Sequence, residues 1–156
     1  MTRILMLCLG NICRSPAAEA VTRRLAAMRG VDVTLDSAGT ANWHEGEAPY
    51  RAMQRAALAR GYDLSSLRAR QITAADFNRF DLILAMDQEN LANARSLRPN
   101  RARAGIRLFL DDHCARGGAG PYEVPDPYYT RDFDGCLTLV EQGAEALLAA
   151  IGRTTR

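Results

Sequence analysis

The chain predicts an α/β fold: a four-stranded parallel sheet with helices on both faces and a phosphate loop after the first strand. Three observations carry this expectation. Four short apolar runs of strand length recur along the chain, at residues 3–7, 31–35, 81–86 and 106–110. The stretches between them hold helical patterns with their own start and stop signals. Strands that alternate with helices in this way pair in parallel through right-handed crossovers. The first run passes straight into a turn-forming segment and then a helix start, and this order of strand, nest and helix builds anion sites in α/β folds.

Each element has its own justification. Arg3-Ile4-Leu5-Met6-Leu7 is a short apolar strand. Gly10 and Asn11 are residue types that adopt positive φ, as a tight nest requires. Ser15 and Pro16 suit an N-cap and a first helical position. The helix then runs from Pro16 to about Arg29, with Val21, Leu25 and Met28 on one face. Val31-Asp32-Val33-Thr34-Leu35 alternates as a second strand. Residues 39–48 read as a loop, and a helix follows Pro49 and stops near Gly61. Thr73 with Asp76 resembles a capping box opening a short helix. Asp81–Met86 is a buried third strand, with Asp87 capping the next helix, and Ile106–Leu110 is the fourth strand. Residues 111–127, rich in Gly and Pro, read as a long loop of a length that favours function. The last helix carries Leu137, Val140, Ala144, Leu147, Leu148 and Ile151 on one stripe. With 156 residues, no repeat and no linker, a single domain spanning 1–156 is expected.

Composition narrows the function. Net charge is +2, and all 20 basic residues are arginine, with no segment concentrating them into a nucleic-acid surface. Arginines 95, 98, 101, 103 and 107 read as a solvated loop face rather than a docking patch. The longest apolar stretch, Ile4–Leu9, is too short to span a membrane, and it leads into the loop rather than a cleavage site. A cytoplasmic protein without membrane or nucleic-acid partners is expected. Cysteines 8, 13, 114 and 136 lack metal-ligand spacing, and there are only two histidines, so no metal and no cofactor is expected.

Residues 8–15 read Cys-Leu-Gly-Asn-Ile-Cys-Arg-Ser. A cysteine, five residues and an arginine are the minimal apparatus for attacking a phosphate monoester through sulfur. The thiolate is the nucleophile, the backbone N–H groups of Leu9, Gly10, Asn11, Ile12 and Cys13 can curl around phosphoryl oxygens, and the Arg14 fork matches two of them. The positive end of the following helix favours anions at the same spot. Chance alone produces about half such a match in a chain with 4 cysteines and 20 arginines, so context carries the signal. Asp126 sits between Pro125 and Pro127, which restrict its backbone and pin a carboxylate in a loop. By composition alone an Asx turn is the simpler reading of that aspartate.

The loop Cys8–Pro16 resembles, residue for residue, the signature of the low-molecular-weight protein tyrosine phosphatases, in their bacterial branch. Asp126-Pro127-Tyr128-Tyr129 matches that family's second signature. Weaker matches lie at Asp36–Thr40, Ala69-Arg70-Gln71 and Met86-Asp87, in family order over essentially the whole chain. The resemblance implies strand order 2-1-3-4, which places the Cys8 loop at the switch point where α/β folds bind ligands. It implies hydrolysis of phosphotyrosine through a cysteinyl-phosphate. Cys8 would be the nucleophile, Arg14 the phosphate binder and Asp126 the general acid and then base. Ser15 would hydrogen-bond the thiolate, and Asn11 would brace the loop.

The substrate ring needs apolar walls, for which Trp43 and Tyr128 are candidates with Leu9 and Ile12 at the rim. Trp43 as a core residue is the competing reading. His44 reads as a selectivity residue or a solvated side chain. The resemblance makes Tyr128 and Tyr129 acceptors of regulatory phosphate. Cys13 reads either as a packing cysteine or as a redox partner that condenses with oxidised Cys8, the second being what the resemblance implies. A protein phosphotyrosine substrate is expected, with a bacterial tyrosine kinase as one candidate partner. One departure stands out: Leu67 replaces a histidine that helps fix the loop asparagine in many members. Two other readings compete. An arsenate reductase of the same fold would need Cys114 and Cys136 as a disulfide relay, and a phospho-binding module would lack turnover.

Overall fold

Parallel hydrogen bonding joins four strands in the computed structural model, which describes residues 1–118 and 120–154. The elements in chain order are β1 (Thr2–Cys8), α1 (Arg14–Arg29), β2 (Val33–Gly39), α2 (Arg51–Ala59), α3 (Asp76–Arg79), β3 (Leu82–Ala85), α4 (Gln88–Leu97), β4 (Gly105–Leu108), α5 (Asp111–Ala115), α6 (Pro127–Thr130) and α7 (Phe133–Thr154). The sheet order is β2-β1-β3-β4, as the resemblance implied. Register sets Cys8 beside Gly39, and Leu7 beside Ala85, at the C-terminal edge of the sheet.

β1 is central, and Ile4, Leu5, Met6 and Leu7 are fully buried. Alternate residues serve opposite faces. Ile4, Met6 and Cys8 join the larger core with Val21 of α1, Met53 of α2 and Leu137 and Val140 of α7. Leu5 and Leu7 join a second core with Phe77 of α3 and Ala94 of α4. Burial on both faces is why this strand reads as an unbroken apolar run.

Several boundaries differ from the sequence reading. α1 begins at Arg14, and Cys13 occupies the N-cap position without a side-chain capping bond. Ser15 therefore lies inside the helix and does not cap it. At the other end Gly30 adopts φ 66, and both its N–H and that of Val31 bond the Ala26 carbonyl. That Schellman-type cap takes Val31 out of the second strand. Met28 is exposed rather than part of the apolar face. It lies about 200° around the helix from buried Ala26. β2 extends to Gly39 despite Asp36 and Ser37, because their polar groups find partners in α1, the Cys8 loop and Arg70. The capping box is only half formed: Asp76 accepts from Thr73 N at 2.8 Å and Thr73 Oγ1 at 3.2 Å, but α3 begins at Asp76 with Ala75 at its N-cap and no side-chain capping bond.

Residues 111–127 are not one continuous loop. Asp111 accepts from Leu108 N at 3.1 Å as α5 opens, and Asp126 caps α6. Between them, buried Val124 donates its N–H to the Met86 carbonyl at 2.8 Å, tying the segment to the end of β3. That tie brings Asp126 over the C-terminal edge of the sheet. No described helix is long and apolar enough to cross a membrane.

Candidate active site

The chain leaves β1 at Cys8 and turns through Leu9–Cys13 into α1. Three carbonyls of this turn face outward to neighbouring backbone. Cys8 O accepts from Thr40 N at 2.9 Å, Leu9 O from Ala41 N at 3.0 Å, and Ile12 O from Tyr50 N at 2.8 Å. With the carbonyls turned away, the N–H groups of Gly10, Ile12, Cys13 and Arg14 have no acceptor among the described residues. Converging free N–H donors at a helix start are an oxyanion cradle.

Two glycines make the turn possible by their size. A Cβ on Gly39 would stand 2.6 Å from the Leu9 carbonyl oxygen, so only glycine lets β2 seat the loop this closely. Gly10 was expected to supply positive φ, but it does not adopt the left-handed region; its bare Cα instead lets the His44 ring approach. Asn11 does supply it, with φ 58. Its amide nitrogen donates to Ser15 Oγ at 2.8 Å and Ser37 Oγ at 3.0 Å, and its Oδ1 accepts from Arg70 N at 3.0 Å. Ser37 in turn donates to buried Glu19 at 2.7 Å. These partners hold Asn11 without a histidine, and Leu67 packs instead against the larger core.

The sulfur of Cys8 lies 3.0 Å from Ser15 Oγ and accepts from Asn11 N at 3.2 Å. Arg14 is 3% exposed. Its Nη1 donates to Asp87 Oδ2 at 2.6 Å and to Val124 O at 3.0 Å, and its Nη2 reaches Asp126 Oδ2 at 3.4 Å. Burial pulls the Arg14 pKa down, but Cys8, Asp87 and Asp126 outweigh it and hold the guanidinium firmly charged. Asp126 has extended backbone, φ −78 and ψ 111, between its two prolines. Its Oδ1 caps α6 by accepting from Tyr128 N at 3.0 Å, leaving Oδ2 turned toward Arg14. The turn reading and the functional reading thus use different oxygens of one carboxylate.

Cys8, Cys13 and Arg14 line the floor of one pocket, with Asp126 at its side. Leu9, Ile12, Trp43, His44, Tyr128 and Tyr129 form its walls and rim. Trp43 is 67% exposed, so it is not a core residue. Tyr128 packs edge-on against Tyr50, with ring centroids 5.6 Å apart. His44 is oriented by Glu47, Nδ1 to Oε2 at 2.8 Å. Asn11 and Ser15 stand behind the floor as braces rather than lining it. The pocket can receive a tetrahedral oxyanion at its base and an apolar group above.

The four cysteines are free thiols and differ sharply in setting. Burial pushes the Cys13 thiol far up, and Cys8, Asp126 and Cys136 add to the rise. Burial likewise pushes Cys136 up to about 12, against the pull of Arg14. Cys114 lies on α5, away from the pocket lining.

Two residues matter more than the sequence reading allowed. Asp87 was assigned only a cap, which it provides by accepting from Asn90 N at 2.8 Å, but its other oxygen anchors Arg14. Its place just after a buried strand, at the carboxyl edge where α/β folds bind ligands, was the available signal. Arg70 pins the Asn11 brace from outside, its backbone bonding Asn11 while its guanidinium clamps Asp76 at 2.9 and 3.1 Å and Asp36 at 3.0 Å. Burial raises the pKa of Asp76, but the Arg70 bonds and the Thr73 N–H outweigh it and keep the carboxyl below its usual range.

Residues 3–156 match the family model described as low molecular weight phosphotyrosine protein phosphatase. The chain is 40% identical over 153 residues to the low molecular weight protein-tyrosine-phosphatase YfkJ of Bacillus subtilis, covering 97% of this chain and 96% of that one. It is 43% identical over 154 residues to a low molecular weight protein-tyrosine-phosphatase of Streptomyces coelicolor, covering 96% and 93%. The crystal structure of YfkJ superposes with a TM-score of 0.92 over 100% of this chain and 98% of that one, at 39% identity. Wzb of Vibrio vulnificus, solved in complex with benzylphosphonate, superposes with a TM-score of 0.81 at 27% identity, over 96% and 98%. Sequence and fold agree across nearly the full length, and the chain belongs to the low molecular weight phosphotyrosine protein phosphatases, enzymes that hydrolyse phosphoric monoesters.

Proposed function

We propose that the enzyme hydrolyses protein phosphotyrosine in two displacements at Cys8. In the first, the Cys8 thiolate attacks phosphorus, the bond to the phenolic oxygen breaks, and Asp126 gives that oxygen its proton. In the second, the Asp126 carboxylate takes a proton from water as it attacks phosphorus. The S–P bond then breaks, and Ser15 stabilises the departing thiolate by a hydrogen bond. Arg14 and the loop N–H groups hold the three non-bridging oxygens through both steps, supplying the electrostatic stabilisation on which phosphoryl transfer depends. Asp87 and Val124 act as positioning partners of Arg14, and Asn11 as the brace of the loop. Leu9, Ile12, Trp43 and Tyr128 form an apolar slot for the ring, with His44 and Tyr129 at its mouth.

The observation that carries this reading is convergence: sulfur, guanidinium and carboxylate from β1, α1 and the α6 cap meet in one pocket. The benzylphosphonate bound by Wzb, an aromatic ring one carbon from phosphorus, has the shape this slot accepts. An arsenate reductase relay is disfavoured because neither Cys114 nor Cys136 is among the residues that line the pocket with Cys8. The binding-module reading is disfavoured because nucleophile, arginine and acid are all present. Four free thiols favour action in the reducing cytoplasm, where an autophosphorylated tyrosine kinase is a fitting substrate. The test is turnover of a chromogenic aryl phosphate and a phosphotyrosine peptide, with chelator present. Release of phosphate from both supports the reading, and release from neither overturns it.

We infer that Cys13, which lines the pocket together with Cys8, is its redox partner, as the family resemblance implies. When peroxide converts the Cys8 thiolate to a sulfenic acid, Cys13 condenses with it, forming a disulfide and releasing water. Cys13→Ser is expected to remain active under reducing conditions yet lose recovery by thiol after peroxide. Mass spectrometry of the oxidised parent should find a Cys8–Cys13 link, and a link from Cys8 to Cys114 or Cys136 would refute the assignment.

A further inference from the structure

We propose that Arg131 forms an anion subsite beside the pocket, recognising an oxyanionic side chain that flanks the phosphotyrosine in the substrate. The inference rests on the phosphotyrosine reading of the pocket and names the substrate class more closely.

Three features single this arginine out. Its backbone is left-handed, φ 63, at the end of α6, where its N–H bonds the Pro127 carbonyl at 2.8 Å. Arg131 is the left-handed C-cap of that helix, which fixes where the side chain leaves the backbone. Its guanidinium lies over two rings, 5.2 Å from the Tyr50 centroid and 5.3 Å from that of Phe133. Those rings stack at 5.9 Å and 7°, forming a flat platform. Finally, its hydrogen bonds go only to neutral oxygens: Nη2 donates to Tyr50 OH at 3.1 Å and Nη1 to Tyr128 O at 3.4 Å. Arg14, Arg60, Arg70 and Arg107 each pair with a carboxylate; Arg131 pairs with none among the described residues.

The result is an exposed cation whose orientation is set by aromatic packing and whose charge is uncancelled. Its position gives it a use. Tyr50 touches Tyr128, which lines the pocket, so the guanidinium stands one ring behind the wall. An extended peptide advances about 3.3 Å per residue, which brings side chains within about three residues of the phosphotyrosine into reach. Arginine retains N–H donors beyond those already bonded, and its planar fork matches carboxylate or phosphate. Both sources share this chemistry, and the assay separates them.

The experiment compares kcat/KM for three phosphotyrosine peptides: one flanked by alanines, one with glutamates within three residues on either side, and one carrying a second phosphotyrosine. Each value is normalised to the same protein's rate on a small aryl phosphate, so a general loss of catalysis does not imitate a loss of preference. The unaltered enzyme is expected to prefer an anionic peptide by about three- to fivefold at low salt, the scale of an exposed ion pair. The preference should shrink toward unity at high salt as the charge is screened. Arg131→Gln should bring the ratio to about one. Arg101→Gln is the control, since it removes the same charge from another left-handed position, φ 61, before β4 at the opposite end of the sheet. It should leave the ratio unchanged. Preference for the glutamate peptide assigns a carboxylate partner, and preference for the second phosphotyrosine alone assigns a phosphate. No preference in the unaltered enzyme, a preference insensitive to salt, or one surviving in Arg131→Gln overturns the subsite. Failure of the pocket reading is distinguishable, because then no peptide is dephosphorylated at all.

Discussion

Cys8→Ser is expected to lower aryl phosphate turnover by on the order of 10³-fold or more, the scale of removing a covalent nucleophile. Inorganic phosphate or vanadate should still bind, with weakened affinity. The hydroxyl is a far poorer nucleophile than a thiolate. The cradle itself survives, because Asn11, Ser15 and Ser37 tie the loop together through the Asn11 amide rather than through sulfur alone. Arg14 likewise keeps Asp87 and Val124. Rapid quench of the parent enzyme followed by mass spectrometry should place phosphate on Cys8. Substantial turnover by the serine variant, or phosphate trapped on another residue, would assign the nucleophile elsewhere.

Replacing Asp126 should produce the second-largest loss, and two substitutions separate its roles. Asp126→Asn keeps an oxygen that can accept from Tyr128 N, so α6 remains capped while proton transfer is lost. Turnover should fall roughly 10²- to 10⁴-fold, the usual range for a general acid. The loss should be steeper for phenols that leave poorly than for activated ones, since only the former need the proton in the bond-breaking step. Asp126→Ala removes the cap as well and should also loosen the α6 turn that carries Tyr128 and Tyr129. A loss equal across leaving groups in the Asn variant would make Asp126 a loop anchor only.

Both predictions draw on residues that the chain advertises. Local signals stated most of the architecture: the unbroken apolar run of β1 reflects burial on two faces, and the Asp87 cap opens its helix as its spacing implies. The short motif around Cys8 carried the expectation of a phosphate site, while Asp126 became the candidate acid only through the family resemblance, since residue type alone favoured an Asx turn there. Where the reading slipped, a local expectation gave way to a contact that only the fold supplies. Of the two roles read for Ser15 the cap is lost and the bond to Cys8 stands, β2 runs on to Gly39 because Asn11 and Glu19 satisfy Ser37, and Gly10 is small to admit His44 rather than to turn.

What the sequence by itself determined was therefore the succession of the four strands and the longer helices, the loop after β1 and the candidate reacting groups, all properties of contiguous segments or of residue type. Only the tertiary structure decided which groups surround them. Asp87 reaches Arg14 across 73 positions, Arg70 reaches Asn11 across 59, and Val124 meets Arg14 across 110. The platform under Arg131 joins Tyr50 to Phe133, with Arg131 itself 81 positions from Tyr50. Such contacts follow from strand order and register, which bring the C-terminal ends of β1, β2 and β3 together at one edge. A buried cation needs a carboxylate within hydrogen-bond reach, yet nothing local in the chain states which carboxylate the folded sheet will deliver.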